Sequence, residues 1–219
     1  MGFPCQTSET PAFSVLLGPD YAGKSSVMAE LRATVPDWHL VSVDSPFVAG
    51  EHAVLSRLKH ALVADALPGL GSAFSSDFVL SLAQTAVVYL RDQVLAAPGG
   101  APVVVDSYYY KILAKCGLIG GDDHPVFAWW RTFPKPRHVL YLDVAPEVAW
   151  RRCGRGARVN RLEHHGTHPD RIAFESFQSD LHKLMLDEVR DLPVTRLPGD
   201  GTVADTARTV REVLSDERG

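Results

Sequence analysis

Along this chain, short apolar runs alternate with longer segments in which apolar residues recur every three or four positions. The runs are "FSVLL" (13–17), "HLVSV" (39–43), "PVVVD" (102–106), "HVLYLDV" (138–144) and "PVTRL" (193–197). Several are apolar almost throughout, as strands are when helices cover both faces of a parallel sheet. The periodic segments span 24–35, 52–66, 78–96, 146–153, 171–190 and 203–215, and predict helices between the strands. This alternation predicts a doubly wound α/β fold. No internal repeat interrupts it, and "AAPGGAP" (96–102) reads as a turn feeding the third strand. A single domain over 1–219 is expected, with 1–11 as a flexible tail.

Composition narrows the classes of partner. With 46% hydrophobic and 22% charged residues among 219, the chain suits a soluble globular domain. Its net charge of −4 supplies no global field to recruit nucleic acid or an anionic membrane, so neither is an expected partner. "MGFPCQTSETP" lacks the charged start and apolar core of a signal peptide, and no run approaches the roughly 18 residues that span a bilayer. Cys5, Cys116 and Cys153 are odd in number and far apart, which suits a reducing cytoplasm, the expected location.

Candidate chemistry begins at Gly18, where G-P-D-Y-A-G-K-S fills the pattern GxxxxGK[ST]. Glycines let the backbone curl until successive N–H groups face a phosphate, and the following helix adds its positive end. Lys24 then reaches the β/γ oxygens and Ser25 ligates Mg²⁺, so ATP and Mg²⁺ are the expected cofactors. Gly18, Asp20, Tyr21, Ala22, Gly23, Lys24, Ser25 and Ser26 form the expected cradle. Phosphoryl transfer also needs a carboxylate near the metal, and buried strands end in Asp106 and Asp143. Asp106 is the preferred metal ligand, whereas Asp143 also reads as a helix N-cap ahead of "APEVAW".

Five arginines, Arg151, Arg152, Arg155, Arg158 and Arg161, fall within a glycine-containing segment, 151–170, that suits a lid. Guanidinium groups closing over a triphosphate neutralise the transferring charge and exclude water. Arg151 and Arg155 are expected on the nucleotide, Arg155 and Arg158 at the transferring phosphoryl group, and Arg161 toward the acceptor. "HHGTH" (164–168) within the segment reads as an ordinary loop, because glycine and proline spoil the helical spacing of a metal site.

Four segments in order resemble the thymidylate kinase-like branch of P-loop nucleotide and nucleoside kinases. They are "GPDYAGKSS", "VVVDSYYYKILAKCG", "YLDVAPEVAWRR" and "GRGARVNRLE", similar to that family's phosphate loop, DRY segment, LDVxPExAxxR unit and lid. The resemblance implies a five-stranded parallel sheet of order 2-3-1-4-5, Mg-ATP as donor and a homodimer. It also places Ser107, Tyr108 and Lys111 at the acceptor, with Tyr108 in the tyrosine position of DRY.

Departures from the family concentrate on the acceptor half. The DRY arginine is Ser107, the family's R-E-P is "DSP" with Asp44 in place of arginine, and no arginine occurs near "LAQTA" (82–86). Residues that address thymine align with Lys111 and Cys116. An acceptor phosphate beside Asp44 would meet a like charge, and lysine does not reproduce the fork of arginine. Asp44 therefore suggests a base or orienting group for a substrate hydroxyl, with Asp20 as the rival. Related deoxynucleoside kinases carry an acidic residue directly before proline here, whereas Ser45 intervenes in this chain. Phe47, Phe74, Tyr108, Tyr109, Trp129 and Trp130 are either core or lining of the acceptor pocket. The reading is a kinase acting on a small hydroxyl-bearing acceptor such as a nucleoside. The alternatives are a dTMP or other nucleoside monophosphate kinase, and an ATP-binding regulatory module without an acceptor.

Overall fold

Five parallel strands form one sheet in the order β2-β3-β1-β4-β5 in the computed structural model, which describes residues 11–119 and 124–216. The strands are β1 (Phe13–Leu17), β2 (His39–Val41), β3 (Val103–Asp106), β4 (His138–Asp143) and β5 (Val194–Pro198). Both the strand set and its order match the expectation. The flexible tail expected over 1–11 lies almost wholly outside the described residues. Among the described residues no helix is long and apolar enough to cross a membrane.

The apolar strands divide their side chains between two cores. Phe13, Val15 and Leu17 of β1 face one side with Val103, Val105, Val139 and Tyr141. Leu16, Val104, Leu140 and Leu142 face the other. With both faces buried, the period of two disappears from the sequence and leaves continuous apolar runs. Helices α1 (Lys24–Thr34), α2 (Ala53–His60), α3 (Ser76–Leu95), α6 (Pro146–Arg152), α7 (Arg171–Glu188) and α8 (Val203–Asp216) correspond to the periodic segments. The Ser75 hydroxyl caps α3 through the Phe78 N–H, and the Asp170 carboxylate caps α7 through the Ala173 N–H. Beyond α2 the helix widens into a π turn over 61–66.

Two helices were not foreseen, α4 (Tyr110–Leu118) and α5 (Pro125–Trp130). Consecutive tyrosines favour strand, and "YYYKIL" gives no cap signal, so local propensity conceals α4. Packing decides the matter: Tyr108, Tyr109 and Tyr110 are all buried, and α4 lies against α3 and α7. After α6 the segment 153–170 forms turns without regular structure. Gly156 sits there at φ +96°, and a Cβ at this position would lie 2.9 Å from the Trp150 ring.

Candidate active site

The sheet presents its C-terminal edge as the site, the place where open α/β sheets bind ligands. β1 runs into Gly18, whose φ is +152° and whose Cβ, if present, would lie 2.8 Å from the Leu142 carbonyl oxygen. Only glycine fits so close to β4. Tyr21 and Gly23 also adopt positive φ, turning the loop so that Lys24 becomes the first residue of α1. The Lys24 ammonium is buried and donates to the Gly18 and Pro19 carbonyl oxygens, each at 3.0 Å. Burial, then the neighbouring Lys111 ammonium, push its pKa down to about 7, with Asp106 and Asp20 opposing. A positive group held this way is poised for an anion.

Beside it a chain of oxygens links β2 to β3. The Ser25 hydroxyl donates to Asp44 Oδ2 at 2.6 Å, and Lys59 donates to Asp44 Oδ1. The Asp44 N–H donates to Ser42 Oγ at 3.2 Å, and Ser42 donates onward to Asp106 Oδ2 at 3.2 Å. Ser107 donates to Asp106 Oδ1 at 2.8 Å. Burial works to raise the Asp44 pKa, but hydrogen bonds from Lys59 and Ser25 outweigh it and hold the carboxyl below its ordinary value. A hydroxyl and two carboxylates are the hard oxygen donors that suit Mg²⁺ carried in with a nucleotide. Ser25 and Asp106, the expected metal ligands, thus share one hydrogen-bonded group with Asp44.

Asp20 occupies a different environment. Lys111 and Lys115 reach its Oδ1 at 2.7 and 2.9 Å, and the Gln178 amide donates to Oδ2 at 3.1 Å. Burial favours the neutral acid, but the two ammonium groups prevail and hold the carboxyl well below the usual range. Asp20 is thus a buried counter-ion to Lys111 and Lys115. Lys115 continues to Glu163 at 3.6 Å, and Glu163 accepts from Tyr21 and Asn160. The phosphate loop, α4, α7 and the 153–170 segment are joined through this one network.

The five arginines of the 151–170 segment serve different partners. Arg152 donates to the Ala22 and Gly199 carbonyl oxygens at 3.1 and 2.8 Å. Arg158 donates to the Arg152 carbonyl and lies over the Tyr21 ring at 5.7 Å. Arg151 and Arg155, expected on the nucleotide, instead border a shallow recess with Glu147, Trp150 and Arg171. Arg161 is spent on the Gly166 carbonyl at 2.6 Å. Neighbouring residues on a helix project about 100° apart, so Arg151 and Arg152 serve different faces, a distinction composition cannot make. Asp143 also departs from expectation: Ala145 holds the N-cap of α6, and Asp143 faces Arg196 at 3.6 Å.

A cavity of about 800 Å³ opens over these groups. The expected residues Asp20 to Ser26, Asp44, Asp106, Ser107, Tyr108, Lys111 and Arg158 border it. Phe47 does not; its ring lies under the Arg32 guanidinium at 5.0 Å. Phe74 stacks on Phe78, and Tyr109 and Trp130 are core. Tyr108 borders the cavity, yet its ring packs among Phe13, Tyr109 and Tyr110. Cys116 also borders the cavity, and burial pushes its thiol up to about 12. In the histidine segment, His164 bonds the His165 carbonyl and His165 bonds Asp180. No group of three or more potential metal ligands of the His, Cys, Asp and Glu types occurs among the described residues. Lys59, Gln178, Glu163 and Asn160 went unrecognised because no spacing in the sequence ties them to the phosphate loop.

No family model matches the chain, and no curated protein matches it in sequence. Solved structures match it in fold. A deoxyadenosine kinase from M. mycoides with the products dCMP and a flexible dCDP bound superposes with a TM-score of 0.63 at 13% identity, covering 93% of this chain and 98% of that one. The dATP-bound form of the M. mycoides enzyme gives 0.59 at 13% identity, covering 93% and 99%. The chain therefore has a P-loop kinase fold.

Proposed function

We propose that this protein is an ATP-dependent kinase that transfers the γ-phosphate to a hydroxyl group of a small molecule. The observation that carries this reading is Asp44, a carboxylate hydrogen-bonded to the Ser25 hydroxyl at the mouth of the phosphate loop. Lys24 and the loop N–H groups would hold the β- and γ-phosphates, while Ser25 and Asp106 would hold the metal. Mg²⁺ held there would supply neutralisation of phosphate charge. Asp44 orients the acceptor hydroxyl and takes its proton as the oxygen bonds the γ-phosphorus. The bond to the β,γ-bridging oxygen breaks and ADP leaves. Arg158 and Arg152 border the cavity and would meet the charge of the transferring group.

A neutral acceptor suits this arrangement better than a monophosphate. A phosphate beside Asp44 would meet a like charge, and the nearby cations are committed, Lys59 to Asp44 and Lys111 and Lys115 to Asp20. The deoxyadenosine kinase among the structures sharing the fold supports a nucleoside kinase-like reaction. The test is ADP release from Mg-ATP with products identified by mass spectrometry. The acceptors are dTMP, other nucleoside monophosphates, nucleosides and other alcohols. Turnover of a neutral hydroxyl compound with silence on monophosphates is expected. Turnover of dTMP overturns the acceptor assignment, and ATP binding with no transfer to anything overturns the kinase reading.

A further inference from the structure

The sheet order divides the cavity in two. The β4–β5 half carries Arg152, Gly199, Val203 and Thr206, and the β2–β3 half carries Asp44, Asp106 and the helices α2, α3 and α4. In that second half, α3 turns Val79, Ala83, Ala86 and Leu90 to the cavity, spacings that form one stripe along a helix. Leu62, Val63 and Leu67 extend the wall from the end of α2. Ile112 and Cys116, one turn apart on α4, complete it. Leu162 of the 153–170 segment borders the same space and clusters with Leu67 and Val79.

Most of the polar side chains bordering this half have protein partners, the buried Tyr108 hydroxyl being without one. Asp44 is engaged by Ser25 and Lys59, and both lysines of α4 by Asp20. Asn160 donates its amide to Glu163 and accepts the Leu162 N–H on its carbonyl oxygen. The Tyr108 ring packs among Phe13, Tyr109 and Tyr110, and its hydroxyl is a single group against the apolar stripe. A nucleobase in this space would bury ring nitrogens and exocyclic groups without partners, each weakening binding by roughly tenfold or more. The apolar stripe of α3 with its neighbours on α2 and α4 favours hydrocarbon over such an edge.

Taking the kinase reading as its premise, we propose that the acceptor is an aliphatic primary alcohol. Its hydroxyl sits at Asp44 and its hydrocarbon body lies along the α3 stripe between α2 and α4. The alcohol oxygen bonds the γ-phosphorus of ATP, the bond to the β,γ-bridging oxygen breaks, and the hydroxyl proton passes to Asp44. The products are an alkyl phosphate monoester and ADP.

The test uses the full chain with Mg-ATP and straight-chain primary alcohols from butanol to decanol, with thymidine and deoxyadenosine in parallel. Alkyl phosphates are identified by mass spectrometry, and ATP affinity is measured by calorimetry. Transfer to the alcohols is expected, with kcat/KM rising about fourfold per added methylene until the space is filled. The nucleosides should give no product. Ala86→Phe, at a half-buried wall position, is expected to shift the preferred alcohol to a shorter chain without changing ATP affinity. Phosphorylation of a nucleoside and of no alcohol overturns this inference but leaves the kinase reading intact. Alcohol turnover indifferent to chain length, or a preference unmoved by Ala86→Phe, overturns the placement along α3. Bound ATP with no acceptor turned over overturns both readings.

Discussion

Asp20 and Gln178, 158 positions apart, clasp each other twice: the Asp20 N–H donates to Gln178 Oε1 at 2.9 Å, and Gln178 Nε2 donates back to Asp20 Oδ2 at 3.1 Å. Gln178 is buried on α7, and its amide also reaches the Glu163 carbonyl at 3.3 Å. The clasp fixes the phosphate loop to a helix that belongs to no nucleotide-binding motif. Gln178→Ala leaves a buried N–H and a carboxylate oxygen unpartnered, which costs about 1–3 kcal/mol. Urea unfolding should show a lower midpoint with an unchanged slope. A midpoint equal to wild type would mean water or a shifted side chain replaces the clasp.

Lys24 makes ATP binding a protonation event. With its pKa pushed down to about 7 by burial and by Lys111, the free protein carries this ammonium only partly charged at pH 8. A triphosphate raises the pKa again by opposite charge, so binding at pH 8 takes up close to one proton. At pH 6, where Lys24 is already charged, uptake should fall toward zero. Calorimetry in buffers of different ionisation enthalpy reads this number directly. The folded pKa is depressed below that of the unfolded chain, so this group adds stability as pH rises from about 7 toward the ordinary lysine range. Proton uptake equal at pH 6 and pH 8 would contradict both halves of the argument.

The fold was legible because burial on both faces leaves strands as bare apolar runs, and the phosphate loop because its backbone geometry needs glycine at Gly18 and Gly23. α4 was hidden, since three consecutive tyrosines favour strand and only their common burial against α3 and α7 explains the helix. The proposed acceptor half rests in the sequence on what it lacks. Asp44 and Ser107 mark the loss of two cations, but the helical face that lines the cavity is plain only once α3 is placed. Lys59 and Gln178 carry no local signature, because their roles come from long-range contacts that one sequence does not display.

Asp44 as the proposed base should separate binding from chemistry. Asp44→Asn keeps the shape and one acceptor oxygen for the Ser25 hydroxyl while removing the proton acceptor. Turnover should fall by about 10²–10⁴-fold, with the ATP requirement changed far less. Hydrogen bonds from Lys59 and Ser25 hold the Asp44 carboxyl below its ordinary value, so it stays ionised throughout the mildly acidic range. Its contribution to the rate is lost only as pH falls through that lowered pKa, and Lys59→Ala, which removes one of the lowering groups, should move the acid limb upward. Steady-state kinetics across pH on wild type and both variants checks this. An Asp44→Asn variant with wild-type turnover would remove Asp44 from the reaction.

The arginines of the 151–170 segment differ by face, and that difference is testable within one loop. Arg158 borders the cavity and lies over Tyr21, whereas Arg155 points to a separate recess beside Glu147 and Arg171. Arg158→Ala should therefore lower turnover by about 10²-fold, the scale of losing one preorganised donor to a transferring charge. Arg155→Ala should leave turnover near wild type. Arg152→Ala should weaken ATP binding as well as turnover, since its guanidinium ties the Ala22 and Gly199 carbonyls together across the nucleotide side. Gly156→Ala should act on the whole segment, because the new methyl meets the Trp150 ring and the φ of +96° disfavours any side chain. Measuring kcat and ATP affinity for the four variants orders them as Arg158 and Arg152 strong, Gly156 intermediate and Arg155 weak. Equal effects at Arg155 and Arg158 would mean that the segment rearranges when ATP binds and brings both faces to the phosphates.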